Sequence, residues 1–195
     1  MARTARTITA LLASGTLAVG VGLAGAPAVA ADGVDTSPLA STASQDSAWP
    51  EYWQGQMGWD VAVAKYLLWE QGYFEPYKVV DHVLDERALD ALMDYQQDTD
   101  LKVTGVLDAR SWEFLVEAAG PVQQGDESYA VSAVQTALQQ KHGYDLAADG
   151  FSTDTPGQGT FGTATHDAVT DFQQDVGLDA DGVVDAATFQ ALVSE

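Results

Sequence analysis

Tyr95-Gln96-Gln97-Asp98, followed by Gly105-Val106-Leu107-Asp108, returns in the same chain as Phe172-Gln173-Gln174-Asp175 followed by Gly182-Val183-Val184-Asp185. The spacing inside each copy is the same. Each copy then runs on to an aromatic residue (Trp112, Phe189) and a Leu-Val pair (Leu115-Val116, Leu192-Val193). Aromatic, glutamine, glycine and aspartate positions held in one register mark a duplicated structural unit. Upstream, Leu67, Gly72 and Tyr73 match Leu138, Gly143 and Tyr144 at a shorter interval, so the second copy carries an insertion. The loop from Ser152 to Gly159, rich in Ser, Thr, Asp, Pro and Gly, is the candidate for it.

Working outward, apolar residues recur at three-to-four spacing. Val63, Ala64, Leu67 and Leu68 predict a short amphipathic helix ending at Gly72. Ala88, Ala91, Leu92 and Tyr95 predict a second, and Ser111, Trp112, Leu115 and Val116 a third, with Asp108 placed to cap its orphan amides. The second copy repeats the pattern through Val131, Val134 and Leu138, then Ala168, Val169 and Phe172, then Phe189, Leu192 and Val193. Gly150, Gly162, Gly177 and Gly182 fall between helices, and Gly120-Pro121 punctuates the boundary between the copies. No stretch alternates as a strand would. The expected fold is therefore all-α: two tandem small three-helix bundles joined by glycine-rich loops, with repeat 1 over 49–118 and repeat 2 over 121–195.

The ends read differently. Arg3 and Arg6, an apolar run from Leu11 to Ala24, and Ala28-Val29-Ala30 have the form of a secretory signal peptide, 1–30, cleaved before Ala31. Ser14, Thr16 and several glycines interrupt the run and oppose the alternative of an uncleaved anchor, so no membrane association is expected after cleavage. Residues 31–48, rich in Ser, Thr, Asp and Ala, have no apolar period and are expected to be a flexible stalk.

Lys and Arg number 8 against 29 Asp and Glu, a formal charge of -21, and there is no cysteine. Disulfides and thiolate metal sites are excluded by the last fact. Such an acidic chain repels polyphosphate and has nothing to release counterions from a nucleic acid, so none is expected as a partner. His82, His142 and His166 lack the spacing of a zinc peptidase, and no Ser-x-x-Lys occurs. The acidic loops at Asp145 to Gly150 and Asp179 to Gly182 fail the calcium-loop pattern: aligned on glycine, they put Gly177 at the first ligand position of one and Pro156 at the last of the other. No cofactor, metal or catalytic residue is expected.

These residues resemble the small three-helix peptidoglycan-binding domain of the first type, found on bacterial wall hydrolases and as tandem copies. Repeat 2 is similar to its pattern almost throughout: Val134-Gln135, Leu138, Gly143, Asp149-Gly150, Phe161-Gly162, Thr165, Ala168-Val169, Phe172-Gln173, Gly177-Leu178, Asp181-Gly182, Val184 and Thr188. The insertion splits Asp149-Gly150 from Phe161-Gly162, and Asp185 stands where the family usually has glycine. Repeat 1 keeps Trp49-Pro50, Gly55, Tyr66-Leu67-Leu68, Gly72, Tyr95-Gln96, Gly105 and Leu107. It carries Leu84-Asp85 at the Phe-Gly position and lacks the first Asp-Gly.

The resemblance implies a secreted, cell-wall-associated, non-catalytic protein whose partner is bacterial peptidoglycan, through glycan strand, stem peptide or both. The implied ligand-binding residues are Asp149, Gly150, Phe161, Gly162, Thr165, Asp181 and Gly182. The same residues are equally those a loop scaffold needs, with aspartates satisfying turn amides and glycines freeing the backbone. Gln173, after a buried aromatic, is expected to brace a neighbouring loop. Trp49, Trp53, Trp59 and Trp69 either stack on sugars or, as their large area favours, fill the core and seal the repeats together. Two other functions stay open: a protein-interaction or inhibitory module on the same bundle, with a protein partner, and an acidic cell-wall glycan hydrolase, which needs only two suitably placed carboxylates.

Overall fold

The computed structural model describes residues 49–75 and 79–194. The expected signal peptide and stalk lie outside the described residues. Six α-helices follow in order: α1 (Trp59–Glu70), α2 (Glu86–Asp98) and α3 (Ala109–Ala119) in repeat 1, then α4 (Tyr129–Gln140), α5 (Thr163–Asp175) and α6 (Ala186–Ser194) in repeat 2. The all-α expectation and the duplication both hold.

Helix starts follow side-chain chemistry. The carboxylates of Asp85 and Asp108 accept the amides of Ala88 and Ser111, and the Ser128 hydroxyl accepts that of Val131, each satisfying an otherwise orphan donor. Asp185 serves α6 in the same way, accepting the Thr188 amide at 2.8 Å. That capping role accounts for an aspartate at a position where glycine is usual. α3 stops at Gly120, whose φ of +69° is left-handed backbone that a β-carbon would strain.

Short antiparallel pairings tie each repeat closed. In repeat 2, β1 (Glu127–Ser128) pairs with β2 (Gly159–Thr160), and Val122 bridges Val184. Repeat 1 has single bridges at the corresponding places, Met57 to Val83 and Tyr52 to Leu107. Pairings this short leave no alternation in a sequence, which is why the repeat pattern alone suggests no strand.

One expectation needs correction. α1 and α4 are not amphipathic: Asp60 to Leu68 and Ala130 to Leu138 are buried without interruption. The cause is tertiary. α1 and α4 pack on each other as well as on the other helices of their own repeats, so no face is left to solvent. They run antiparallel, because the end of α1 meets the start of α4: the Glu70 carboxylate accepts the Tyr129 amide at 2.8 Å. At the other end, the Lys141 ammonium lies 2.8 Å from Asp60. Trp69 stacks on Tyr129 with centroids 3.9 Å apart, sealing the seam between repeats. The two repeats form one compact unit with one continuous core.

The other tryptophans divide. Trp112 is fully buried, donates its indole N–H to the Pro50 carbonyl and is stacked by Trp49. Trp59 packs on His82. Trp53 is the exception, 49% exposed.

Candidate ligand-binding site

The site is assembled where the insertion rejoins the bundle. Asp149 ends a single turn of 3-10 helix (Ala147–Asp149), and Gly150 follows in left-handed backbone with φ +75°. This turn delivers the Asp149 carboxylate to the start of α5. There Oδ1 accepts the Ala164 amide at 3.2 Å, and Oδ2 accepts the amide and hydroxyl of Thr165 at 2.7 and 2.6 Å. Asp149 thus caps α5 from another loop, in place of the side chain that Gly162, at the capping position, does not have. Gly162 is glycine for a second reason: a β-carbon there would overlap the Asp149 carboxylate. Burial alone would raise the Asp149 pKa. The hydrogen bonds from Thr165 and from the Ala164 and Gly162 amides outweigh it and hold the carboxyl below the usual carboxylate range.

Thr165 is fully buried and links two elements, because its hydroxyl also accepts a bond from Gln135 Nε2 of α4 at 2.9 Å. The same Nε2 donates to the Thr160 carbonyl at 3.0 Å. Phe161 lies underneath, buried in the core.

Asp181 and Gly182 form a second turn. Asp181 Oδ1 accepts the Val183 amide at 2.9 Å. The fully buried Gln173 braces this turn as expected: Nε2 donates to the Val183 carbonyl at 2.8 Å and to Asp181, while Oε1 accepts the Gly182 amide at 2.9 Å. Gly182, with φ +74°, packs so close to the His166 ring that a β-carbon would collide with it. His166 follows Thr165 on α5, so the first turn of α5 is where the two loops meet. Among the expected site residues, Asp149, Gly150, Gly162 and Thr165 gather at the start of α5. Asp181 and Gly182 reach them only through His166. Gly150 and Asp181 are exposed, whereas Phe161 and Thr165 sit inside and shape the loops.

Beside Asp149 the insertion encloses a cleft of about 90 Å³. Its walls are Asp149, Gly150 and the following loop as far as Thr160, closed by Ser132 of α4 and Tyr66 of α1. Repeat 1 therefore contributes a wall to a cleft of repeat 2. Nothing in the sequence signals Tyr66 or Ser132 as site residues, because their place depends on the α1–α4 packing.

Repeat 1 has rebuilt the equivalent corner with charge. Asp85 stands in the place of Gly162 and caps α2 itself, so no distant Asp-Gly turn is needed. Counted from the helix starts at Trp59 and Tyr129, which pairs Leu138 with Leu68 and not with Leu67, Lys65 holds the place in α1 that Gln135 holds in α4; it is almost fully buried, with its ammonium 2.6 Å from Asp81 and 4.0 Å from Asp85. Burial pushes the Asp81 pKa up, but the Lys65 ammonium and the Val83 amide more than reverse this, and the carboxyl lies below its ordinary range.

The bundle is duplicated, and its glycine-bearing loops are braced from inside by Gln96 and Gln173. The chain belongs to the peptidoglycan-binding domain family: the family model described as "Putative peptidoglycan binding domain" matches residues 58–115 and again 127–192. No match was found among curated proteins or among solved structures. Among the described residues, no helix is long and apolar enough to cross a membrane.

Proposed function

We propose that this chain is a secreted, non-catalytic protein that binds bacterial peptidoglycan at the cell wall, through the loop end of repeat 2. Asp149, Gly150, Gly162 and Asp181 stand within reach of a glycan or stem peptide, and Phe161, Thr165 and the buried Gly182 hold those loops in place. The observation that carries the reading is the double family match, joined to the Asp149 turn that repeat 2 keeps and repeat 1 replaces with Asp85. Gly150 supports ligand approach, because the place of its missing β-carbon is open space.

A second reading, a protein-interaction module, is favoured by Trp53 and Met57, 49% and 66% exposed on the front of repeat 1. Incubation with purified, teichoic-acid-stripped sacculi tests both. The proposal expects the chain to sediment with the sacculi and to release neither reducing ends nor free amino groups. A chain left in the supernatant favours the protein partner. Released fragments that disappear on replacing one acidic residue establish the hydrolase instead.

A further inference from the structure

His166 links the two turns of the site, yet the wall-binding reading gives it no part. It is the fourth residue of α5, and its ring lies where a β-carbon on Gly182 would stand. Repeat 1 makes the same contact with a different side chain. Leu89, the fourth residue of α2, lies where a β-carbon on Gly105 would stand. Closing the loop over its glycine therefore needs a side chain of about this size, and leucine suffices. The packing does not call for an imidazole. The neighbours differ in the same sense: Met93 also packs close to Gly105, and both Met93 and Val103 are exposed, whereas repeat 2 has Thr170 and Ala180 at those places in the register.

The polar corner of repeat 2 has unused hydrogen-bonding capacity. The His166 side chain is 35% exposed. Its Nδ1 lies 3.4 Å from the exposed Asp167 carboxylate, and Nε2 has no hydrogen-bond partner among the described residues. Asp181, next in the chain to Gly182, spends Oδ1 on the turn, and its Oδ2 accepts no hydrogen bond among the described residues. Asp149, Asp167 and Asp181 stand around this corner, and among the described residues no Lys or Arg is paired with any of them. A carboxylate entering here meets like charge. An ammonium can only donate, whereas imidazole Nε2 donates in one tautomer and accepts in the other. A hydroxyl or an amide does both, and so suits a carboxylate oxygen beside an imidazole.

We infer that His166 is a ligand-contact residue of repeat 2, its Nε2 and Asp181 Oδ2 together taking a neutral hydroxyl or amide group of the wall polymer. The inference rests on the wall-binding reading. Sugar hydroxyl and acetamido groups of the glycan strand carry this chemistry, and so does the backbone of the stem peptide. Leu89 keeps the packing in repeat 1 and forgoes the contact.

Titration of the isotope-labelled chain with chitotetraose and, separately, with a synthetic stem pentapeptide, followed by nuclear magnetic resonance of the imidazole nitrogens, tests the contact without any wall. The His166 Nε2 resonance is expected to shift saturably with one of the two, which names the source, while the His82 and His142 rings stay in place. No saturable shift of His166 with either compound overturns the inference. His166→Leu copies the packing of repeat 1 and should melt like the parent. It should weaken the titration about fivefold, the scale of one hydrogen bond, and His166→Gln, which restores a donor and an acceptor, should recover most of the loss. Full affinity in the leucine variant, or no recovery in the glutamine variant, overturns the inference as well. On stripped sacculi the leucine variant should be retained about fivefold less than the parent. Equal retention refutes the contact while leaving wall binding intact. A parent that is not retained refutes wall binding instead, and the titration then decides His166.

Discussion

The paired glutamines show how much one side chain fixes. Gln96 and Gln97 are neighbours, as are Gln173 and Gln174, yet in each pair the first is fully buried and the second exposed. Gln96 serves its loop as Gln173 does, accepting the Thr104 and Gly105 amides at 3.0 Å each and donating to the Val106 carbonyl at 2.9 Å. Replacing either by Ala strands buried backbone groups, at about 1–3 kcal/mol for each one left unpaired. Gln173→Ala should therefore lose at least about 2 kcal/mol in urea unfolding, while Gln174→Ala stays within about 0.5 kcal/mol of the parent. Similar losses for both would show that the brace carries no weight. Acid supplies a second test. Asp149 and Asp81 have depressed pKa values in the folded chain, so their stabilisation is complete above the unfolded carboxyl value of about 3.9 and is lost as pH falls through the lower folded values. The melting temperature should hold level down to about pH 5 and drop below about pH 4, and Asp149→Asn should make that acid limb shallower. An acid limb unchanged in the variant would remove Asp149 from the capping role.

At the scale of elements, legibility in the sequence was uneven for a physical reason. The Asp108 cap, the glycine stops and the bracing role of Gln173 depend on neighbours a few residues away, whereas Asp85 and Asp185, which cap in the same way, stood out in the sequence only as departures from the family pattern. The environment of α1 and α4 depends on what lies across the seam, which periodicity does not encode, so an amphipathic helix was expected where a fully enclosed one stands. The loop from Ser152 to Gly159 was legible as an insertion because the two intervals differ, but the cleft it encloses was not. Glu70 shows the same limit: it caps the start of α4 from the end of α1, accepting the Tyr129 and Ala130 amides. Glu70→Ala should cost about 1 kcal/mol, the usual scale of a lost helix cap, although Glu70 lies outside repeat 2. Full stability in that variant, read by calorimetry, would show that the two helices do not depend on each other.

Across the whole molecule, tandem small units are expected to be marginal alone, and here they share a core instead of touching at surfaces. The chain should unfold in one cooperative transition, with calorimetric and van't Hoff enthalpies equal. The segment 121–195 in isolation exposes the face of α4 that α1 covers, and should show no cooperative melt. Two resolved transitions, or a well-folded fragment, would contradict the shared core. This coupling also means that the binding site must be probed by point substitution in the full chain. Gly150 suits that purpose, being left-handed, exposed and surrounded by open space. Asn tolerates positive φ better than other side chains, so Gly150→Asn adds bulk at the site with little strain, and Gly55→Asn, at an equally open left-handed position in repeat 1, is its control. The most direct measurement is the retention of these three proteins on stripped sacculi, each first shown to melt like the parent. Binding through the loop end of repeat 2 predicts that the parent and Gly55→Asn are retained alike and that Gly150→Asn is retained at least about fivefold less, a difference of about 1 kcal/mol. Retention of Gly150→Asn equal to the parent's, or loss in Gly55→Asn alone, would contradict it.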